Sequence, residues 1–246
     1  MSSAGRRLAV AGCCLAAIAA VVAGCGPRGT GGAAAVAELD RDVGDQVAAV
    51  RTGEADRIVA TRPLADAEWE SLRGLSRLRE LVLEQGEADD GRAEILSTLT
   101  GLERLVLRNS PLTDKGFRWL ANCRVLRDLN VPQAACTAAG VRSLATLVHL
   151  RSLRLGGPQL AGVEACEAIA SLEQLRSLHL IDVPIGDNGL AVLGRLPGLW
   201  NLYLDGAGVS DEAWERYFQA CPRVHVHVDQ THHDRDPRGH SPEQAP

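Results

Sequence analysis

One spacing pattern constrains this chain more than any other feature. The motif L-x-x-L-x-L stands at Leu78-Leu81-Leu83, Leu102-Leu105-Leu107, Leu126-Leu129-Val131, Leu150-Leu153-Leu155, Leu175-Leu178-Leu180 and Leu199-Leu202-Leu204. Successive copies start 24 residues apart, once 25. A fixed period of this size is the signature of stacked structural repeats. The second and third apolar positions alternate, as along a short strand with one buried face. A second apolar set follows at helical spacing: Leu112, Phe117, Leu120 and Cys123 in one unit, and Ile185, Leu190, Leu193 and Leu196 in another. Thr113-Asp114 and Ser210-Asp211 stand where those helices begin and offer side-chain oxygens as N-caps. Each unit therefore reads as strand, turn, short helix and return. A single unit cannot bury its own apolar stripe, whereas a stack makes one continuous core. A degenerate unit at Ala55-Ile58-Ala60 and a closing strand at Val224–Val228 extend the repeat domain to 55–228.

These six in-register copies resemble the leucine-rich repeat superfamily. The segments Leu112-Thr113-Asp114-Lys115-Gly116-Phe117 and Ile185-Gly186-Asp187-Asn188-Gly189-Leu190 look like its T-D-x-G-L variant. The resemblance implies an α/β solenoid, an arc with short parallel strands on the concave face and short helices on the convex face. It also implies a non-enzymatic scaffold that binds a protein partner on the concave face. The chain departs from the common pattern at the ninth position, where asparagine usually bonds the turn backbone. Gly86, Ser110, Ala134, Pro158, Val183 and Ala207 stand there instead, so the turns must satisfy their backbone groups otherwise.

Outside the repeats, Val36, Leu39, Val43, Val47 and Val50 recur at roughly helical spacing and suggest an N-terminal capping helix over 36–54. Residues 229–246 are polar, contain prolines, and read as a disordered tail. The N-terminus reads as an address. Arg6 and Arg7 precede an uncharged, apolar run from Leu8 to Gly24, the form of a secretory signal over 1–24. Val22-Ala23-Gly24-Cys25 resembles the lipobox of bacterial lipoproteins, which implies acylation of the Cys25 thiol. An earlier match at Val10-Ala11-Gly12-Cys13 stands too close to Arg7 to leave room for an apolar region. The alternative, an uncleaved membrane anchor, is at the short and weakly apolar limit for spanning a bilayer. Residues 25–35 then form a flexible tether. The expected location is extracytoplasmic, lipid-anchored to a bacterial membrane on its periplasmic or cell-surface side.

Composition narrows the function classes. With 26 Lys+Arg against 31 Asp+Glu the net charge is −5, which argues against a nucleic-acid partner. Only Lys115 among the basic residues is lysine. Register along the strands places Arg104, Arg108, Arg127, Arg151, Arg154 and Arg176 over the central repeats, a density suited to planar anionic groups. Further along, His179, Trp200, Tyr203 and Asp205 form an aromatic-polar group, with Trp200 interrupting a column otherwise filled by charged residues. Trp, Tyr and Arg most often dominate interface energetics, so these ten residues are the expected partner site. Glu80, Glu103 and Asp128 stand where they would pair with the arginines across neighbouring strands.

His225, His227 and Asp229 alternate with valines on one strand face and are of metal-ligating type, but no motif fixes a ligand geometry. A solvated edge strand is the plainer expectation, with a metal-binding surface protein or a structural envelope component as the alternative functions. Cys123, Cys136, Cys166 and Cys221 each stand in register with core aliphatics, as buried free thiols would. Ser177, His179 and Asp205 share the sheet face, but residue types alone make no triad. No cofactor motif and no catalytic constellation is evident.

Overall fold

A computed structural model describes residues 42–233 and Asp236. The proposed signal segment, Cys25, the tether and the first residues of the capping segment lie outside the described residues, as does most of 234–246. By contact density the chain divides at Glu38/Leu39, and the second unit, from Leu39 onward, carries every described element.

Strand and helix alternate throughout. The order is α1 (Val43–Thr52), β1 (Arg57–Ala60), α2 (Asp66–Leu72), β2 (Glu80–Leu83), α3 (Asp90–Leu96), β3 (Arg104–Leu107), α4 (Asp114–Leu120) and β4 (Asp128–Val131). It continues with α5 (Ala138–Ser143), a 3-10 turn (Leu144–Thr146), β5 (Ser152–Gly156), α6 (Gly162–Ala170), β6 (Ser177–Ile181) and α7 (Gly186–Leu193). The last elements are β7 (Asn201–Asp205), α8 (Asp211–Ala220), β8 (His225–Val228) and β9 (Thr231–His232). Strands β1 to β8 pair in sequence order, all parallel, and β9 closes the sheet antiparallel to β8. The fold is an α/β leucine-rich-repeat solenoid. Register follows the sequence alignment: Leu81 faces Leu105, Leu105 faces Leu129, and so on to Leu202 facing Val226.

The repeat leucines form a single buried cluster that runs the length of the stack. Leu78, Leu81, Leu102, Leu105, Leu107, Leu178 and Leu202 are fully buried in it, together with Phe117 and Leu120 from α4. Continuity of this cluster stabilises the stack, because the strands are too short to be stable singly.

The turns without asparagines are bridged by backbone bonds between units, such as Gly86 N to Arg108 O at 3.0 Å and Ala134 N to Gly156 O at 2.9 Å, and a separate aspartate ladder runs along the helix starts. Asp90 Oδ1 accepts from Thr113 N and Gly116 N, both at 2.9 Å, while its Oδ2 accepts from the Thr113 hydroxyl at 2.6 Å. One repeat on, Asp114 takes Thr137 N at 2.7 Å, Gly140 N at 3.0 Å and the Thr137 hydroxyl at 2.9 Å. Asp187 takes Ser210 N and its hydroxyl at 2.8 and 2.7 Å. This ladder gives the T-D-x-G motif a physical meaning. The threonine caps its own helix, with Thr113 and Thr137 accepting from Lys115 N and Ala139 N at 3.2 Å, and Ser210 likewise from Ala213 N. The aspartate ties the next repeat, and the glycine leaves room for it. A Cβ at position 116 would lie 2.6 Å from Asp90 Oδ1, and one at 140 would lie 2.5 Å from Asp114 Oδ1. On the opposite side of the turn, the Ser110 hydroxyl accepts from Ala88 N at 3.1 Å, so one ninth-position residue does take the asparagine's part.

Both open sheet edges are covered. At the first, α1 is capped by Asp42 and ended by left-handed Gly53, with Val43, Val47 and Val50 buried. Its Gln46 amide donates to Val59 O at 2.9 Å and accepts from Val59 N at 2.8 Å, supplying β1 with the pair a further strand would have made. At the second edge the structure departs from the expected disordered tail. Asp229 and Gln230 adopt φ of 49° and 64°, the left-handed pair of a two-residue hairpin, and return the chain as β9 against β8. Asp236 beyond it is buried, and its Oδ2 accepts from Val226 N at 2.8 Å. His233 packs on Trp214 and Phe218 of α8, with ring centroids 4.9 and 5.0 Å apart.

Candidate functional site

The outward residues of the strands form the open face of the sheet. At its N-terminal end Val59, Val82 and Val106 make a small buried cluster of their own. The column beside them is ion-paired: Glu80 lies 3.3 Å from Arg57 and 3.2 Å from Arg104. Glu103 similarly bridges Arg79 and Arg127 at 3.2 and 3.5 Å, and Arg108 lies 2.6 Å from Glu84. Three of the six candidate arginines, Arg104, Arg108 and Arg127, are therefore charge-balanced within the fold. Cross-strand pairing with Glu80 and Glu103 follows from the parallel register, as the alignment implies. Asp128 sits between Arg104 and Arg127, and burial pushes its carboxyl above the usual range against the pull of both.

Arg151, Arg154 and Arg176 differ: among the described residues none of them makes an ion pair. Arg151 donates to Val148 O and Leu150 O at 3.1 and 3.3 Å, and Arg176 to Leu175 O at 3.3 Å with its guanidinium lying over Gly198. Arg154 projects from β5 between Asn130 of β4 and His179 of β6. Its Nε and the Asn130 Oδ1 are both buried without a hydrogen-bond partner. Burial, then the nearby Arg108, lower the Arg154 pKa from its ordinary value, with Asp205 pulling the other way.

Next to this cationic centre the sheet carries a row of rings in register: His179, Tyr203 and His227 from β6, β7 and β8. Their centroids are 5.4 and 5.0 Å apart, and His232 of β9 continues the row at 5.2 Å from His227. His179 Nε2 hydrogen-bonds Asp205 Oδ2 at 2.9 Å. Burial lowers the His179 pKa more than this bond raises it, and Arg154 lowers it further. Among the described residues the Ser177 hydroxyl makes no hydrogen bond to this histidine. Trp200 extends the column of Arg151 and Arg176, its backbone N bonded to Arg176 O at 2.8 Å, and is 58% exposed. The Trp200 indole borders a groove lined also by Pro197, Leu199, Pro222 and Arg223.

The candidate metal set is rearranged. His225 and His227 do project from β8, their Nε2 atoms 2.9 Å apart. Asp229 leaves them, because in its left-handed turn its Oδ1 accepts from Gly206 N at 2.9 Å. His232 and Asp236 take its place beside His225, two residues that alternation along β8 could not bring in. Cys123, Cys136, Cys166 and Cys221 are free thiols, the first three buried.

A scan against protein-family models returns no match, and neither does a search of curated proteins. Among solved structures the chain is similar to internalin C2 of Listeria monocytogenes, at 20% identity and a TM-score of 0.49, covering 69% of this chain and 67% of that one. It is also similar to internalin F of the same organism, at 18% identity and a TM-score of 0.40, covering 65% of this chain and 56% of that one. The solenoid assignment rests on the strand order and repeat register described above.

Proposed function

We propose that the chain is a non-enzymatic, extracytoplasmic interaction scaffold, held to a bacterial membrane by lipid on Cys25, that binds a protein partner on the open face of its sheet. The observation that carries this reading is the division of the arginines. The first repeats neutralise their own guanidinium groups with Glu80, Glu84 and Glu103, whereas Arg151, Arg154 and Arg176 make no ion pair among the described residues, Asp205 acting on Arg154 only at longer range. They lie beside exposed Trp200 and the His179–Tyr203 row, in a chain of net charge −5. Such a surface suits a partner segment with exposed carboxylates and an apolar anchor: guanidinium forks take carboxylates in pairs, and the indole supplies contact area.

The test is crosslinking capture from envelope extracts of the source organism, using the chain from Cys25 onward and its Trp200→Ala/Tyr203→Ala and Arg154→Glu variants. The expected result is a partner whose affinity drops about 30-fold or more in the double variant, the scale of a hot-spot loss, with circular dichroism unchanged. A partner bound equally by all three would place recognition elsewhere on the solenoid. Radiolabelled palmitate incorporation, lost in Cys25→Ala, tests the anchor.

A further inference from the structure

The C-terminal cap gathers groups of metal-ligating type that the sequence separates. Because Asp229 and Gln230 form a two-residue hairpin, His232 comes to lie across from His227. The chain then brings Asp236 to the edge of β8, at Val226 N. The Asp236 side chain is fully buried, and the His225 and His232 side chains are only 17% and 26% exposed. Asp236 Oδ2 lies 2.9 Å from His225 Nδ1 and 3.6 Å from His232 Nε2, and the ligand atoms of the three residues all fall within 4.8 Å of one another. A tetrahedral zinc ion with nitrogen and oxygen ligands at about 2.0–2.2 Å separates its donors by about 3.3 Å. The two distances here bracket that value.

We propose that His225 Nδ1, His232 Nε2 and Asp236 Oδ2 bind one divalent transition-metal ion of zinc type, with the fourth position taken by water. Two imidazoles and one carboxylate are a borderline donor set that suits zinc over calcium or magnesium. A second observation accommodates the tautomer this requires. The far nitrogen of His225, Nε2, stands 2.9 Å from Nε2 of His227. If His225 donates its Nε2–H there, its Nδ1 lone pair points to the Asp236 side. Hydrogen bonding of a ligand histidine through its other nitrogen is the usual way proteins orient metal-bound imidazoles. The Asp236 carboxylate is anchored in turn by Val226 N. The bound ion joins β8, β9 and the segment after it, so that it locks the strand covering the solenoid's last edge. The assignment is independent of any partner on the sheet face.

The test is calorimetric titration of zinc chloride into the intact chain, with circular dichroism of every variant. One saturating ion per chain is expected. His232→Ala and Asp236→Asn should weaken binding by at least about 100-fold, and His227→Ala by about 10-fold, the range of a partner behind a ligand. Exposed His149→Ala should leave binding unchanged. Zinc should also raise the unfolding midpoint of the wild type and fail to do so for His232→Ala. Absence of saturable uptake, or uptake undiminished by His232→Ala, overturns the assignment. If Asp236→Asn unfolds the cap, His232→Ala alone decides.

Discussion

Replacing Asp114 by alanine isolates the ladder that joins one repeat to the next. Its carboxylate accepts three hydrogen bonds from the following unit, at 2.7, 2.9 and 3.0 Å. Bonds to an ionised acceptor contribute about 1.5–3 kcal/mol each at best, and a buried N–H left without an acceptor costs about 1–3 kcal/mol. Water reaches the half-buried Thr137 end of the site and recovers part of the loss, but Gly140 is buried. The expected destabilisation is about 2–4 kcal/mol, with Asp114→Asn costing less because its Oδ1 still accepts from both backbone N–H groups. Urea unfolding followed by circular dichroism measures it, as a lowered midpoint at unchanged slope. The ladder makes a second, sharper demand. Gly140→Ala alone sets a Cβ 2.5 Å from Asp114 Oδ1, so it should destabilise strongly. In the Asp114→Ala background that clash is gone, and the two changes should be coupled by about 1 kcal/mol or more. A loss below about 0.5 kcal/mol for Asp114→Ala, the range of an ordinary surface substitution, or strict additivity with Gly140→Ala, would refute the reading of T-D-x-G as an inter-repeat clamp.

Two further outcomes follow from buried titratable groups. His179 is held below its ordinary pKa of 6.5, chiefly by burial and also by Arg154, against the bond to Asp205. The folded chain therefore binds fewer protons than the unfolded one just below pH 6.5, so this site's contribution is complete above that value and is lost as pH falls. Urea midpoints should decline on acidification, and less so in His179→Gln; identical pH profiles would exclude the site as a source of acid sensitivity. Burial raises the Cys123, Cys136 and Cys166 thiols to about 12, and raises half-buried Cys221 as well. Peptide mapping after iodoacetamide treatment should find the first three unmodified until urea unfolds the chain, with Cys221 labelled first. Rapid native labelling of Cys136 or Cys166 would contradict their place in the core.

The sequence alone determined the solenoid. Its warrant is repetition: six copies of one hydrophobic spacing must bury the same face, and only stacking does so. The same register placed Glu80 and Glu103 beside the arginines they neutralise, and Thr113 and Ser210 at helix starts. What the tertiary structure decided lies where repetition stops or where a bond crosses units. The ladder partners Asp114 and Gly140 stand 26 residues apart, and each reads alone as an ordinary helix-start residue. The C-terminal cap has no second copy to reveal it. Its hairpin is turned by Asp-Gln, which lacks the glycine that usually marks left-handed turns, and its polar composition resembles an unfolded tail. Alternation along β8 gave Asp229 the same face as His225, but a turn at positive φ ends alternation at Asp229 itself. The carboxylate that reaches the histidines is therefore Asp236, held at the edge of β8 by Val226 N with its side chain buried, a choice made by packing across the fold.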